Sequence, residues 1–244
     1  MIDEEYFDST KVIVNIIDKS IADDMIVKYH YSHAKTSNRY SFGIYYKTPN
    51  KFFGDDNLSL IGCIIYGSPV GRLVTQSISP ELKDDETLEL TRLFIHDGYG
   101  KNIESYSVSQ SFKLLKKIDK TIKCIISYSD PEQNHVGTIY QSLNFSYQGD
   151  TTRIVDAFWL RVDEDSEWIH PRTLFATFGT INLKEIREKI GHGFYIKDLL
   201  RKHRYVYFLC SKPERNKIIK TIKHPFLPYP KKIENHEEKI RKID

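Results

Sequence analysis

One stretch of the 244-residue chain concentrates groups able to do acid–base chemistry. Directly after the apolar run IKCIIS come Ser127, Ser129, Asp130, Asn134, His135 and Tyr140. In open α/β sheets ligands lodge beyond the carboxyl ends of the strands, so a carboxylate and a phenol placed there suit a proton acceptor and a proton donor. Asp130 before Pro131 is also an ordinary turn start, and Tyr140 an ordinary core aromatic. The density of polar groups exceeds what a helix start requires. A second candidate is the turn HDGYGKN, where Gly98, Gly100, Lys101 and Asn102 precede a helical stretch. Backbone amides in such a turn can approach a phosphate at the helix amino terminus, although any tight strand-to-helix link also wants glycines. The third is Tyr29-His30-Tyr31-Ser32-His33, where two histidines at the end of a predicted helix share a face and suit a metal or a base. The helix dipole favours histidine there regardless. Glu89 and Arg92, in LELTRL, sit at odd spacing on a predicted strand, which puts them on opposite faces. Motifs of P-loop nucleotide hydrolases, serine hydrolases and zincins do not occur.

These residues need a scaffold, and the chain is rich enough to build one. It is 40% hydrophobic and 28% charged, which excludes a disordered or collagen-like chain. No apolar run reaches the ~18 residues of a membrane span, so a soluble protein is expected. The acidic start MIDEEYFDST does not resemble a signal or transit peptide. Cys63, Cys124 and Cys210 lie inside apolar runs without C-x-x-C pairing, which fits a reducing cytoplasm. The net charge is only +3, but from Gly191 onward there are 14 Lys/Arg against 6 Asp/Glu. That basic end interleaves aromatics in RKHRYVYF and HPFLPYPKK, a mixture that serves phosphate contact and base stacking. A solvated helix followed by an edge strand would look the same.

Hydrophobic periodicity predicts a strand at Lys11–Ile17, a helix at Ser20–His33 capped by Ser20, and strands at SFGIYY, SLIGCIIYG and Thr87–Ile95. The turn Thr48–Asn57 separates the first two of those strands. There follow a long helix from Asn102, a buried strand at Ile122–Ser129, a short helix around GTIYQSLN and strands at FSYQG and TRIVDAFWLRV. The order β-α-β-β-β-α-β-α-β-β packs economically as a mixed α/β sheet with helices on both faces. Residues 1–162 form the expected core, and 163–244 an α-β extension that is basic from about 191 and packs on it.

The element order, the Gly98/Gly100 turn and HVGTIYQSLNF resemble the acyl-CoA-dependent N-acetyltransferase (GNAT) fold. In that family the turn binds CoA pyrophosphate, and a tyrosine in the position of Tyr140 protonates the leaving thiolate. Ile95 stands where the family's Gln or Arg opens the turn signature, and Asn144 where a glycine precedes Phe145. More specifically, HYSH, GCIIYGSP, ELTRLFI, KNIES, SYSDPEQNHVGTIYQSLNFSYQG, RTLFATFGT, RKHRYVYF and LPYPK together resemble the Mom family of phage DNA-modification proteins, from about His30 to Lys231. That resemblance implies transfer of a methylcarbamoyl group to the exocyclic N6 of adenine in double-stranded phage DNA, which shields it from host restriction enzymes. It implies an acyl-CoA donor, such as acetyl-CoA, and a bound iron. Positions matching the motif residues are His30, Tyr31, Tyr66, Arg92, Ser105, Asp130 and Tyr140. Asp130, Tyr140, Arg92, Tyr66 and Ser105 are then the expected catalytic residues, and His30, Tyr31 and Asp130 the expected metal ligands. Gly98, Gly100, Lys101 and Asn102 would hold the cofactor. Arg172, Arg201, Lys202, Arg204, Tyr205, Lys231 and Lys232 would contact DNA. A homodimer is compatible with this reading, and the host bacterial cytoplasm is its expected location. Two other functions compete: an N-acyltransferase for a small-molecule or protein amine, which gives the basic end no task, and a non-catalytic phage DNA-binding protein, which leaves the Asp130 cluster unexplained.

Overall fold

Apolar runs with β-branched residues become strands, and stripes spaced three and four apart become the helices that cover them. The computed structural model describes residues 6–49, 56–151, 158–231 and 240–244. Ten strands are assigned: β1 (Val12–Ile16), β2 (Tyr40–Pro49), β3 (Asp56–Gly67), β4 (Thr87–Ile95), β5 (Cys124–Ser129), β6 (Ser146–Asp150), β7 (Phe158–Arg161), β8 (Phe194–Asp198), β9 (His203–Phe208) and β10 (Arg241–Ile243). The helices are α1 (Lys19–Tyr29), α2 (Val74–Ile78), α3 (Ile103–Ile118), α4 (Thr138–Ser142), α5 (Pro171–Phe178), α6 (Leu183–Ile190) and α7 (Lys212–Lys220). The chain is a mixed α/β protein, with a seven-stranded sheet in the order β1-β2-β3-β4-β5-β9-β6 and a three-stranded sheet in the order β10-β8-β7.

By its contacts the chain divides into two units. The first takes in 1–128, 137–149 and 204–229, and the second takes in 129–136, 150–203 and 230–244. The division drawn from sequence at 162 is therefore not the one the contacts give, because the chain passes between the units several times. In the first unit α3 lays Val108, Phe112 and Leu115 against Phe42, Ile64, Tyr66, Leu88 and Leu90 of the sheet. That is the i, i+4, i+7 stripe of an amphipathic helix. On a separate cluster Ala22 and Ile26 of α1 pack on Cys63 and Ile65. In the second unit Phe158, Leu160, Phe194 and Ile196 alternate inward from β7 and β8 and pack with Leu174 of α5 and Ile186 of α6.

Several expectations need correction. The helix α1 ends at Tyr29 and has Asp18, not Ser20, at its N-cap, so HYSH follows the helix and does not form its last turn. His33 is left-handed, with φ 44°. TRIVDAFWLRV yields a described strand only over Phe158–Arg161, and it joins the smaller sheet; residues 152–157 lie outside the described residues. The stretch RKHRYVYF is not a surface tail: β9 is an interior strand of the large sheet, between β5 and β6. Finally, β4 carries a bulge. Leu90 pairs with Tyr66 and Arg92 with Ile65, which leaves Thr91 as the extra residue. The bulge resets the alternation, so Glu89 and Arg92 share one face instead of taking opposite ones.

Candidate active site

The strands β4 and β5 run parallel, but their pairing covers only Thr87↔Cys124 to Glu89↔Ile126. Beyond it the Ser127 hydroxyl donates to the Leu90 carbonyl at 3.1 Å. Here the candidate residues of the first unit gather. Tyr140 stands on α4, held in place by ring contacts to Phe145 (5.3 Å) and Tyr205 (5.2 Å). Burial pushes its phenol up to about 12, against the hydrogen bond with Ser127, and the charges of Tyr31 and Glu89 act in the same direction as burial. At neutral pH it therefore holds its proton, as a general acid must.

Arg92 is the cation of this cluster. One guanidinium nitrogen donates to the Thr91 carbonyl at 2.7 Å, while its Nε is buried without a hydrogen-bond partner. Burial lowers its pKa, opposed by the fields of Tyr31 and Glu89. Tyr31, Glu89, Arg92, Ser127 and Tyr140 are thus brought into one electrostatic neighbourhood within a single unit. Sequence reading named Arg92, Tyr31 and Tyr140 but set Glu89 on the wrong face relative to Arg92. The missing signal was the bulge at Thr91, which depends on the register with β3.

Tyr66 and Ser105 are placed differently. Tyr66 is fully buried, and its hydroxyl meets Ser111 Oγ at 2.7 Å. Ser111 gives its own proton to the Val108 carbonyl, so Tyr66 is the donor in that pair. Burial holds the Tyr66 phenol well above the usual range. It joins β3 to α3 in the core. Ser105 donates to the Asn102 carbonyl at 3.1 Å and so closes the first turn of α3.

The turn before α3 has three left-handed residues, Gly98 (φ 93°), Gly100 (φ 96°) and Asn102 (φ 70°). Glycine takes that conformation without strain. Asn102 makes no side-chain cap, which leaves first-turn amides of α3 for an outside acceptor. Lys101 is exposed beside them and its backbone bridges to Tyr6. Glu104 in the first turn opposes an anion. The backbone geometry fits a pyrophosphate, with Lys101 as the countercharge.

Of the expected metal ligands, His30 is held by its own segment, and Asp130 belongs to the second unit. His30 is 7% exposed, and its Nδ1 accepts the Ser32 backbone N–H at 3.1 Å. Neutral His30 then carries its proton on Nε2, so neither ring nitrogen presents a free lone pair. His33 turns its Nδ1 to the Val27 carbonyl at 3.0 Å. Among the described residues no three His, Cys, Asp or Glu side chains are grouped to hold a metal ion.

In the second unit Asp130 follows β5 and caps the 3-10 turn Pro131–Gln133. Its carboxylate accepts the Glu132 N–H at 3.1 Å and pairs with the Lys202 ammonium at 2.8 Å. Lys202 is therefore engaged by Asp130, and Arg201 and Lys231 are exposed. Arg204 and Tyr205 are not surface residues. Tyr205 is fully buried, and Arg204 is 8% exposed, donating to Ser77 Oγ at 2.9 Å. Lys232 lies outside the described residues, as does the side chain of Arg172.

Solved structures of N-acetyltransferases resemble this chain at low identity. An Arabidopsis thaliana NAA60 in complex with acetyl-CoA matches with a TM-score of 0.44 and 11% identity over 81% of this chain and 98% of its own. The putative acetyltransferase yncA from Salmonella typhimurium, with its cofactor acetyl-CoA, matches with a TM-score of 0.43 and 8% identity over 82% and 95%. The Mom protein family model matches residues 11–231, and the chain belongs to that family. The methylcarbamoylase mom of Escherichia phage Mu is 25% identical over 231 residues, covering 92% of this chain and 86% of that protein. No helix among the described residues is long and apolar enough to cross a membrane.

Proposed function

We propose that this protein is a DNA-modifying transferase, placing a methylcarbamoyl or related small acyl-type group on the exocyclic N6 of adenine and so protecting phage DNA from restriction in the host cytoplasm. The observation that carries the reading is the protonated Tyr140 beside Arg92, Glu89 and Ser127 at the gap between β4 and β5, in a chain of the Mom family.

Adenine N6 is a weak nucleophile because its lone pair is delocalised into the ring, and a duplex hides it, so the base must be extruded. An acyl-CoA, if bound, would supply an activated carbonyl that already carries every atom of the transferred group, and the amides at Gly98–Asn102 with Lys101 are the groups suited to its phosphates. Tyr140 would give its phenol proton to the sulfur that leaves as N6 takes the group. Arg92 holds positive charge where negative charge develops on the carbonyl oxygen. For Asp130, a carboxylate paired with Lys202 in the second unit, the role is that of a proton acceptor. No step is assigned to iron, since His30 presents no lone pair.

The test is mass spectrometry of nucleosides from plasmid DNA co-expressed with the protein in bacteria, beside Asp130→Asn and Tyr140→Phe controls. A deoxyadenosine adduct of methylcarbamoyl mass that both controls lose is the expected result. Adducts at the unaltered rate in both would overturn the assigned roles. Unmodified DNA from folded protein, with acetylation of small amines in vitro, would replace the substrate.

A further inference from the structure

The loop that joins β3 to α2, Ser68-Pro69-Val70-Gly71-Arg72-Leu73, carries two aliphatic side chains that belong to no core cluster. Leu73 (69% exposed) and Val70 (66%) are the two most exposed large aliphatic side chains among the described residues. A single exposed leucine needs no explanation, but this pair sits on a loop tied to the candidate active site. The Val70 N–H donates to Glu89 Oε2 at 3.2 Å, and Glu89 acts electrostatically on both Arg92 and Tyr140. The base of the loop is pinned as well. Ser68 N–H donates to Ser37 Oγ at 2.9 Å, and Gly67 lies so close to Ser37 that a Cβ would collide with its carbonyl oxygen. The Gly71 carbonyl accepts the Val74 N–H at 3.0 Å, and Pro69 fixes its own φ. All of these residues belong to the first unit. The segments that meet here, 31–39 and 67–80, contain Lys35, Arg39 and Arg72 and no Asp or Glu. Arg39 is paired with Asp119, whereas Lys35 and Arg72 are exposed and form no ion pair among the described residues. Of the carboxylates that reach these segments, Glu89 takes Val70 N–H and Asp23 takes the Asn38 amide at 2.9 Å. Acids resume along the chain at Glu81, beyond the far end of α2.

We infer that the 68–73 loop is the wedge that opens the duplex: Val70 and Leu73 enter the base stack where the adenine leaves it, and Arg72 and Lys35 meet the flanking phosphates. This rests on the DNA reading above and deepens it, since that reading requires the base to be extruded. Extrusion leaves a hole between unstacked bases. An apolar side chain fills such a hole without needing a hydrogen-bond partner, and burying the exposed valine and leucine offsets part of the unstacking cost. A pinned loop suits this task because little chain freedom is lost when the stack closes around its tip. A cationic loop without the aliphatic pair would hold phosphates but leave the hole empty. The tie from Val70 to Glu89 sets the wedge beside the groups that receive the base.

The experiment uses the full chain on a labelled plasmid fragment, with affinity read by anisotropy and extrusion read by permanganate, which oxidises thymines whose partner has left the stack. The unaltered chain is expected to make thymines opposite adenines hyper-reactive. Val70→Ser combined with Leu73→Ser should lower that reactivity by roughly fivefold or more even at saturating protein, because phosphate contact alone opens no stack. Arg72→Ala should weaken binding by roughly threefold at low salt and flatten the log–log salt slope by about one unit, while leaving reactivity at saturation unchanged. Leu58→Ser, an equal apolar loss at an exposed position near the other end of β3, should alter neither reading. If the double variant fails to fold, Leu73→Ser alone carries the test. Tight binding with the hyper-reactivity intact in the double variant would overturn the wedge and leave the DNA reading standing. So would sedimentation showing that the double variant splits a dimer while DNA opening persists, which would assign the pair to a second copy of the chain. No DNA binding by the unaltered chain would overturn both.

Discussion

Two strand regions combine arginine and tyrosine in nearly the same way and put them to opposite use. In β9, Arg204 and Tyr205 enter the middle of the large sheet, where neighbours on both sides remove them from water. In β7 and β8, Arg161 and Tyr195 occupy the outer face of the three-stranded sheet and remain partly exposed. Buried in the first region, the arginine loses solvation, and its pKa falls despite the fields of Tyr128 and Cys124. In the second it lies between the Tyr195 and Trp168 rings on the partly exposed outer face. Interleaved basic and aromatic residues therefore reach solvent only when the strand's place in its sheet leaves one face open.

The largest effect that would sharpen this contrast is on stability. Tyr205→Ala removes a ring packed against Tyr140 and Tyr147 and should cost about 3–5 kcal/mol, in the range for buried aromatics. Tyr195→Ala should cost under about 1 kcal/mol, as surface changes do. Equal losses in denaturant titrations would break the comparison. On activity, Tyr140→Phe should slow modification by about 10²-fold or more without shifting the melting temperature much, because only the hydroxyl is removed.

Alkaline pH should act mainly on the first unit. Burial raises the phenols of Tyr128 and Tyr140 to about 12, against the ordinary 10. The folded state therefore holds more protons than the unfolded chain between these values, so stability is fully present below pH 10 and falls as pH rises toward 12. Melting curves should decline over that window, and Tyr128→Phe should make the decline shallower. The smallest effect concerns Arg204. Replacing it by methionine removes a buried cation that donates to Ser77, and the proposed duplex binding should keep its salt slope, because a buried guanidinium meets no phosphate.

Much of the scaffold was legible because local chemistry determined it. The buried run Cys124–Ser129 could only be an interior strand, and the Val108, Phe112, Leu115 spacing could only be a helix stripe. The Gly98/Gly100 turn was readable because left-handed backbone selects glycine. Tyr140 was readable as a candidate from its segment. The relation of Glu89 to Arg92 was not, because a bulge is set by the register between two strands and leaves no mark in either one. The surroundings of His30 were not legible either: the helix stops at Tyr29, and the Ser32 amide takes the ring nitrogen.

The amino-acid sequence by itself determined the alternation of apolar and polar residues, hence the elements, the family, and which side chains exist to do chemistry. Which of those side chains meet water, and which meet each other, was decided only when strands distant in sequence took their neighbours. Burial depends on both flanks of a strand, so β9 became core and the β7–β8 face became surface through contacts that no local pattern encodes.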